Sequence, residues 1–483
     1  MEAGNPGAQA EIGLVGLGVM GSNLALNIAE KGFRIAVYNR PEDRPKDFPA
    51  SAGELLASRI ISCNTLEELV AAIKPPRPVI LMVTAGRAVD TQVTELRPLL
   101  SSNDIIIDAG NSYFQNTTRW FAGLKNNGLN YVGMGVSGGE EGARHGPSIM
   151  FGGAPEAYTR VEPILTAIAA KYNGDPCCAY LGTGAAGHFV KMVHNGIEYA
   201  DMQMIAEIYG LMRDGLKLEA VEIGSVFRHW NTGRLNSYLI EITATVLDSR
   251  DPKTGKPIVD LILDKAEQKG TGQWSVTTAQ TLGVPANTLE EAVAARILSS
   301  WKAERVAASA IYGTSENGFT MGDSRAFIDQ LELALLAGKV CAYAQGFSLM
   351  DNGSKRYGWQ LPLATIARIW RAGCIIRSQF LDTIMASLEQ KPDLANLLVA
   401  PSFVDIMRQS VPALRSVVAK AALAGIPVPA LSAALGYFES YRHESGVANL
   451  IQAQRDFFGA HGFERIDAPG ISHQHGPWSS KPV

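Results

Sequence analysis

Residues 12–21 read Ile12-Gly13-Leu14-Val15-Gly16-Leu17-Gly18-Val19-Met20-Gly21, an apolar run followed directly by a glycine-rich turn. The run predicts a buried strand, and the pattern after it predicts that the turn opens a helix. Glycines spaced as Gly16, Gly18 and Gly21 suit a tight turn, a close approach of a pyrophosphate and tight helix–strand packing. The first amides of such a helix favour phosphate groups. The stretch therefore predicts a dinucleotide site.

Short apolar runs continue to alternate with helical patterns through the first 180 residues or so. The further predicted strands are Ile35–Tyr38, Val79–Val83, Ile105–Ile107, Tyr131–Met134, Ile149–Phe151 and Ala179–Leu181. Strands that are apolar on both faces and alternate with helices are typical of a doubly wound, mainly parallel sheet. We therefore assign residues 1–185 to a Rossmann-type domain.

The sequence pattern changes after residue 185, where few short apolar runs typical of strands remain. Long segments rich in Ala, Leu and Ile predict helices, as in Thr288–Ala310 and Phe327–Gln345. We assign residues 186–443 to a large all-helical domain, so that the fold class is α/β plus all-α.

A faint repeat runs through the helical region. Leu211-Met212 precedes Trp230-x-x-Gly233, and Leu349-Met350 precedes Trp370-x-x-Gly373, an offset of about 140 residues. Two half-domains related by duplication would explain the repeat. Chance is the alternative, because only a few positions match.

Both ends of the chain read as segments outside the cores. Asp467–Val483 is rich in Pro, Gly, Ser and His, so it is either a loose tail or an arm that lies on another surface. We assign residues 444–483 to a C-terminal arm and tail. Met1–Ala10 is small and polar, without a basic residue, and resembles neither a secretory signal nor an organelle presequence. We expect a disordered N-terminal segment and a cytoplasmic protein.

Composition limits the classes of protein to which the chain can belong. The chain has 483 residues, 46% apolar and 19% charged, which predicts a well-folded protein of two or three domains. A net charge of −4 gives no reason to expect nucleic acid or an anionic membrane as partner, although a local basic pocket could hold a phosphorylated substrate. The five cysteines lack the paired spacing of zinc sites, so we expect reduced thiols and no metal.

Residues 187–199 carry the densest set of reactive side chains. Read as a helix, they place four polar side chains at i, i+3, i+4 and i+7 on one face: Lys191, His194, Asn195 and Glu198. An amine, an amide and a carboxylate on a buried helix are costly unless a site uses them. We predict a catalytic face; the alternative is a solvated face with a charge pair.

The residues at the end of the second strand indicate whether NAD or NADP is preferred. It reads Val37-Tyr38-Asn39-Arg40, with no acid at the tip, where NAD sites place an Asp or Glu for the ribose hydroxyls. An arginine can pair a 2′-phosphate bidentately and stack on adenine. The sequence therefore favours NADP over NAD; a surface arginine in a turn is the alternative.

Small residues follow three other predicted strands: Val83-Thr84-Ala85-Gly86, Asp108–Ser112 and Val136–Gly139. Ligands of such sheets sit beyond the carboxyl ends of the strands. We expect Asn111 to touch either ligand, and Ser137 with the amides after it to hold a carboxylate or hydroxyl.

The chain resembles the 6-phosphogluconate dehydrogenases, in their decarboxylating long-chain form. The matching motifs span nearly the whole chain: Gly16–Gly21, Asn39-Arg40, Val136–Arg144, Lys191–Tyr199, Lys269-Gly270-Thr271-Gly272 and Gln454–His461. The resemblance implies oxidation of 6-phospho-D-gluconate by NADP to a 3-keto acid and loss of CO2 to give ribulose 5-phosphate. This is a step of the pentose phosphate pathway and of gluconate utilisation.

The resemblance also implies roles for individual residues. Lys191 would be the general base and later the acid, and Glu198 would protonate the enediol carbon. The implied substrate-binding residues are Asn111, Ser137, Gly138, Gly139, His194, Asn195, Tyr199, Lys269, Thr271, Arg296, Arg455 and His461. The implied cofactor-binding residues are Gly16, Leu17, Gly18, Val19, Met20, Gly21, Asn39, Arg40, Val83, Thr84, Ala85 and Asn111. Arg455 and His461 would reach across the interface of an obligate homodimer.

Two other functions stay open. A non-decarboxylating β-hydroxyacid dehydrogenase would share the glycine motif and the lysine, but would not need Lys269, Arg296 and Arg455 for a phosphate, nor so long a helical domain. A catalytically silent NADP-binding protein is the other, and the intact set Lys191, Asn195 and Glu198 disfavours it.

Overall fold

The computed structural model describes residues 9–40, 48, 53–313, 319 and 324–480. Its strands are β1 Ile12–Val15, β2 Ile35–Tyr38, β3 Ile60–Ser62, β4 Pro78–Leu81, β5 Ile105–Asp108, β6 Asn130–Ser137, β7 Ser148–Gly152, β8 Lys171–Tyr172, β9 Asp175–Pro176 and β10 Cys178–Gly182. Every predicted strand is present, and β3, β8 and β9 are additional.

Eight of the strands form one sheet in the order β10-β7-β6-β5-β4-β1-β2-β3. All neighbours pair in parallel except β6 and β7, which are antiparallel. Apolar side chains from the two faces of the sheet pack into two separate cores. The strand order reverses between β1 and β4, and such a switch point leaves a crevice for a ligand at the carboxyl ends of the strands.

The helices of the first half are α1 Val19–Glu30, α2 Glu54–Ala57, α3 Leu66–Ala72, α4 Arg87–Leu96, α5 Phe114–Lys125, α6 Gly139–His145 and α7 Pro155–Ile168. Those that follow are α8 Ala186–Gly210, α9 Ala220–Trp230, α10 Tyr238–Asp248, α11 Thr271–Thr281, α12 Asn287–Ser300, α13 Lys302–Tyr312, α14 Ser324–Tyr357, α15 Leu363–Ile369, α16 Phe380–Gln390, α17 Pro401–Ala424, α18 Pro429–Tyr441 and α19 Ala448–Gly459. The α/β plus all-α class is confirmed.

Two helix predictions need correction. The segment predicted over 288–310 is two helices that break at Trp301, and the one predicted over 327–345 is the middle of the longer α14. By length and composition α14 could cross a membrane, but 89% of its most apolar window is buried inside the protein. Burial of that kind is found in the core helices of globular folds.

The predicted repeat stays a prediction. Trp230 ends α9, and Trp370 follows α15. Ser237 and Ser378, which lie after the two motifs, form an antiparallel bridge.

Residues 1–8 of the N-terminal segment predicted to be disordered lie outside the described residues. The prediction of disorder is wrong at its end, because Ala10 is fully buried and bridges Ile73 beside the sheet. Arg250 and Pro257 form an antiparallel bridge that closes the loop between them.

The chain divides into two compact units, and the second begins at Leu435. Within it the buried carboxylate of Asp456 accepts hydrogen bonds from the N–H of Gly476 (3.0 Å), Nδ1 of His475 (2.6 Å) and Nε1 of Trp478 (2.8 Å). These bonds hold residues 475–478 against α19, so this part of the tail is not loose. The division at residues 185 and 443 stays a prediction.

Candidate active site

The turn between β1 and α1 is built by its glycines. Gly16 has a φ of +101°, and a Cβ there would collide with the carbonyl of Met82. Gly21 lies so close to the backbone of Gly16 that it too has no room for a Cβ. Gly18 has open space around it, and no side chain caps the first turn of α1. A phosphate can therefore approach the helix N-terminus.

Asn39 and Arg40 follow β2 beside this turn. Oδ1 of Asn39 accepts a hydrogen bond from the N–H of Leu17 at 3.2 Å, so Asn39 fixes the shape of the glycine turn. Arg40 is exposed at the strand tip. Its role as a contact of the 2′-phosphate stays a prediction.

Two further cofactor segments adjoin each other at the ends of β4 and β5. Val83–Ala85 follow β4, and a Cβ added to Gly110 would be 3.1 Å from the carbonyl oxygen of Val83. Asn111 comes next and is exposed at the edge of the crevice. The predicted cofactor residues thus line one continuous edge of the sheet.

Helix α8 lies directly on the sheet because glycines face it. A Cβ on Gly135 of β6 would be 2.5 Å from Cβ of Lys191, and one on Gly133 would be 2.9 Å from Nδ1 of His188. This close approach leaves Lys191 only 6% exposed. The side chain of Lys191 therefore starts from the surface of the sheet.

The predicted polar face of α8 is present and joined to β6. Nε2 of His194 is 3.3 Å from Oγ of Ser137, and Nδ1 is 3.1 Å from Oδ1 of Asn195 and 3.6 Å from Oε2 of Glu198. Because an amide oxygen only accepts, Nδ1 carries the ring proton and Nε2 accepts from the hydroxyl of Ser137. The imidazole is thus held in one tautomer.

Burial sets the protonation of this face. It lowers the pKa of Lys191 against the opposing effect of Glu198, and raises the pKa of Glu198 against that of Lys191 and Arg296. Burial and the neighbouring amine keep the pKa of His194 well below its ordinary value. A lysine with a lowered pKa and a carboxyl with a raised one can exchange protons with a substrate near neutral pH.

Two of the predicted phosphate residues, Tyr199 and Arg296, lie next to Glu198. Cζ of Arg296 lies 3.7 Å from the ring centroid of Tyr199, and a Cβ on Gly272 would be 2.6 Å from the same ring. Thr271 is buried at the start of α11, and Lys269 is exposed just before it. A guanidinium beside a phenol can bind an anionic group, and the role of these residues stays a prediction.

Gly138 and Gly139 turn the chain sharply after Ser137. Their φ angles are +122° and +62°, and a Cβ on Gly138 would be 2.6 Å from the carbonyl oxygen of Gly373. That oxygen also accepts from the N–H of Ser148 at 2.7 Å. The turn between α15 and α16 therefore fixes the backbone that would hold the substrate carboxylate.

This turn is a part of the site that the sequence did not predict. The indole of Trp370 meets the imidazole of His194 edge to face, with centroids 5.3 Å apart at 80°. Burial raises the pKa of the Cys374 thiol to about 12, and the charge of Lys191 nearby counters that rise. The repeated motif at Trp370 was the available signal, but it was interpreted only as a repeat.

Two predicted site residues belong to the C-terminal unit. Arg455 lies in α19 and His461 follows it, and both are exposed. Nη1 of Arg455 donates to Oε1 of Gln452 at 3.1 Å. Their roles stay predictions.

Within the described ranges, no group of three His, Cys, Asp or Glu side chains is placed to hold a metal ion. All five cysteines are buried and free.

A nucleotide crevice at the strand ends, with proton-exchanging groups on a helix against it, defines a dinucleotide-dependent dehydrogenase with a helical second domain. The NAD binding domain of 6-phosphogluconate dehydrogenase matches residues 11–182, and the 6-phosphogluconate dehydrogenase C-terminal domain matches residues 187–478. The chain belongs to the family of decarboxylating 6-phosphogluconate dehydrogenases.

Full-length relatives agree. A Bacillus subtilis enzyme named as the NAD(+)-dependent decarboxylating form is 48% identical over 97% of this chain and 99% of its own length. The NADP(+)-dependent form of the same organism is 47% identical over 96% and 99%. The solved structure of Plasmodium falciparum 6-phosphogluconate dehydrogenase, described in apo, NADP+ and 6-phosphogluconate forms, matches with a TM-score of 0.91 at 41% identity, covering 97% of this chain and all of that one.

Proposed function

We propose that this chain oxidises 6-phospho-D-gluconate with NADP and releases CO2, forming D-ribulose 5-phosphate and NADPH. The observation that carries the proposal is the pair of buried groups on α8, Lys191 with a lowered pKa and Glu198 with a raised one. Full-length similarity to decarboxylating enzymes favours this reaction over a dehydrogenase that keeps the carboxylate and over a silent NADP-binding protein.

The residues at the strand ends fit NADP. Gly16–Gly21 would take the pyrophosphate at the uncapped start of α1, and Arg40 the 2′-phosphate. Val83–Ala85 and Asn111 would hold the nicotinamide half. When bound, NADP supplies the hydride acceptor.

Lys191 would act three times. As a neutral amine it takes the proton of the C3 hydroxyl while the hydride leaves C3, which gives a 3-keto acid. As an ammonium it then protonates the C3 oxygen while the C1–C2 bond breaks, so that the electron pair left by CO2 forms an enediol. Protonated Glu198 gives its proton to C2, and Lys191 takes back the proton of the C3 hydroxyl, leaving the ketone.

The remaining residues would position the substrate. Ser137, Gly138 and Gly139 would hold its carboxylate end, and His194 and Asn195 its hydroxyl groups. Tyr199, Lys269, Thr271 and Arg296 would surround its phosphate.

We also propose a cytoplasmic homodimer in which the arm of each subunit, residues 444–483, completes the other subunit's site with Arg455 and His461. The arm exposes Phe457 and Phe458 by 64% and 74%. Large adjacent aromatic surfaces of this kind mark an interaction site. Association should therefore bury these rings.

Replacing Arg455 with alanine should raise KM for 6-phosphogluconate at least tenfold with little change in kcat, because a charge-assisted hydrogen bond to the phosphate is lost. Steady-state kinetics measure this. The control is Arg408→Ala, which removes an arginine that is 77% exposed on α17. An unchanged KM for Arg455→Ala would mean that the arm does not reach the site.

Replacing Arg40 with alanine should lower kcat/KM for NADP about tenfold or more, and leave that for NAD nearly unchanged, because only NADP carries the 2′-phosphate. Initial rates with both cofactors measure the ratio. Equal losses with the two cofactors would contradict the assignment of Arg40.

The reaction itself is tested by following NADPH absorbance and CO2 release together. With 6-phosphogluconate we expect one CO2 for each NADPH. NADPH formed without CO2 would favour the β-hydroxyacid dehydrogenase, and NADP binding without turnover would favour the silent protein.

A further inference from the structure

Side chains of the turn between α15 and α16 line two different places in the protein. Trp370 and Cys374 belong to the wall of the site described above. Arg371 and Arg377 line a different cavity of about 490 Å³, whose other walls come from β8 and from the segment that joins α9 to α10. A cavity of this volume is large enough for a small ligand.

The two arginines differ in how their charge is used. Nη1 of Arg371 is 3.0 Å from Oδ1 of Asp382, and its guanidinium stacks 4.3 Å from the ring of Tyr172. Arg371 is therefore already neutralised and serves the fold.

Arg377 is held in place without such a partner. Its guanidinium lies 3.6 Å from the ring of Tyr238, and Nη1 donates to the carbonyl of Cys374 at 2.8 Å. Across the ranges that the structure describes, no carboxylate comes within 4.0 Å of it, including Glu241 of the same cavity. Most of the five donors of Arg377 therefore remain for a ligand.

The backbone around Arg377 is fixed as well. Helices α10 and α16 both begin at the cavity, where the N–H of Tyr238 donates to the carbonyl of Arg377 at 3.1 Å. An ordered guanidinium with unused donors, in a cavity lined mainly by polar side chains, fits an oxyanion.

We propose that this cavity binds a phosphate group, free or carried by a small ester, with Arg377 as its main charged contact. The site is separate from the one assigned to the substrate, and the inference goes beyond the proposed function without depending on it. Through its bond to the carbonyl of Cys374, Arg377 links the cavity to the wall beside Lys191.

Calorimetric titration of the full-length protein with inorganic phosphate tests the proposal. The titration is done on the Arg296→Met variant, in which the phosphate end of the active site is disabled. We expect one phosphate per chain, with affinity at least tenfold weaker when Arg377→Met is added. Arg408→Met, added instead as the control, should leave the affinity within twofold.

A parallel titration with glycerol 3-phosphate distinguishes the two sources of the group: tighter binding of the ester assigns an ester, and equal or weaker binding assigns free phosphate. No binding of either probe, or equal affinity with and without Arg377→Met, overturns the proposal. If Arg377→Met does not fold, Arg377→Lys replaces it, and an affinity unchanged by that loss of the planar fork overturns the proposal as well. Because heat rather than turnover is measured, the result does not depend on the reaction that the chain catalyses.

Discussion

Replacing Lys191 with alanine is expected to lower kcat by about 10³- to 10⁴-fold, while the dissociation constant of 6-phosphogluconate changes little. Lys191 is 6% exposed, and burial has lowered the pKa of its amine, so it is the group on α8 best prepared to take a proton. The substrate's binding energy would come from other residues, among them Arg296 and Thr271. Stopped-flow or steady-state rates, with binding measured separately, test both parts.

Lys191→Arg is the matched control for charge. Arginine keeps the positive charge but cannot lose its proton near neutral pH, so this variant should be as inactive as Lys191→Ala. An arginine variant with most of the wild-type kcat would assign Lys191 an electrostatic role only. An alanine variant with most of the wild-type kcat would remove the base from the mechanism altogether.

Replacing Lys339 with methionine is expected to reduce the free energy of unfolding by about 3–5 kcal/mol. Nζ of Lys339, on α14, lies 2.6 Å and 2.5 Å from the two carboxylate oxygens of Asp201 on α8, and both side chains are at most 3% exposed. Methionine fills similar volume but leaves a buried carboxylate unpaired. Urea unfolding at a fixed protein concentration measures the loss.

The same helix offers the control. Lys355 pairs with Asp351 at 2.6 Å on the surface of α14, with its side chain 73% exposed, so Lys355→Met should cost less than about 1 kcal/mol. The double variant Lys339→Met with Asp201→Leu should regain most of the stability, because it removes both buried charges. Equal losses for Lys339→Met and Lys355→Met would show that the buried pair is not a main contact between α8 and α14.

Local patterns predicted much of the fold and of the site. Glycine spacing gave the turn before α1, and helical spacing gave the polar face of α8, because both depend on residues close in sequence. The edge strand β3 was missed because it has three residues, of which only Ile60 is buried. A run so short carries no measurable periodicity.

The wall at Trp370 and Gly373 could not be predicted for a different reason. These residues lie more than 170 positions from His194 and more than 220 from Ser137 in sequence, and their contacts arise only when the two helical halves pack against the sheet. Periodicity reports that a residue is buried, not which distant residue it meets. For the same reason, the ion pair of Lys339 with Asp201 could not be predicted from the sequence.

The five free thiols are all enclosed, and one of them, Cys374, is in the wall beside Lys191. An alkylating reagent can therefore reach a sulfur only when the surrounding segment opens. The rate of labelling at each cysteine then reports how often that part of the native protein opens locally. Peptide mapping of labelled Cys374 would follow fluctuations of the catalytic wall itself, with no engineered probe.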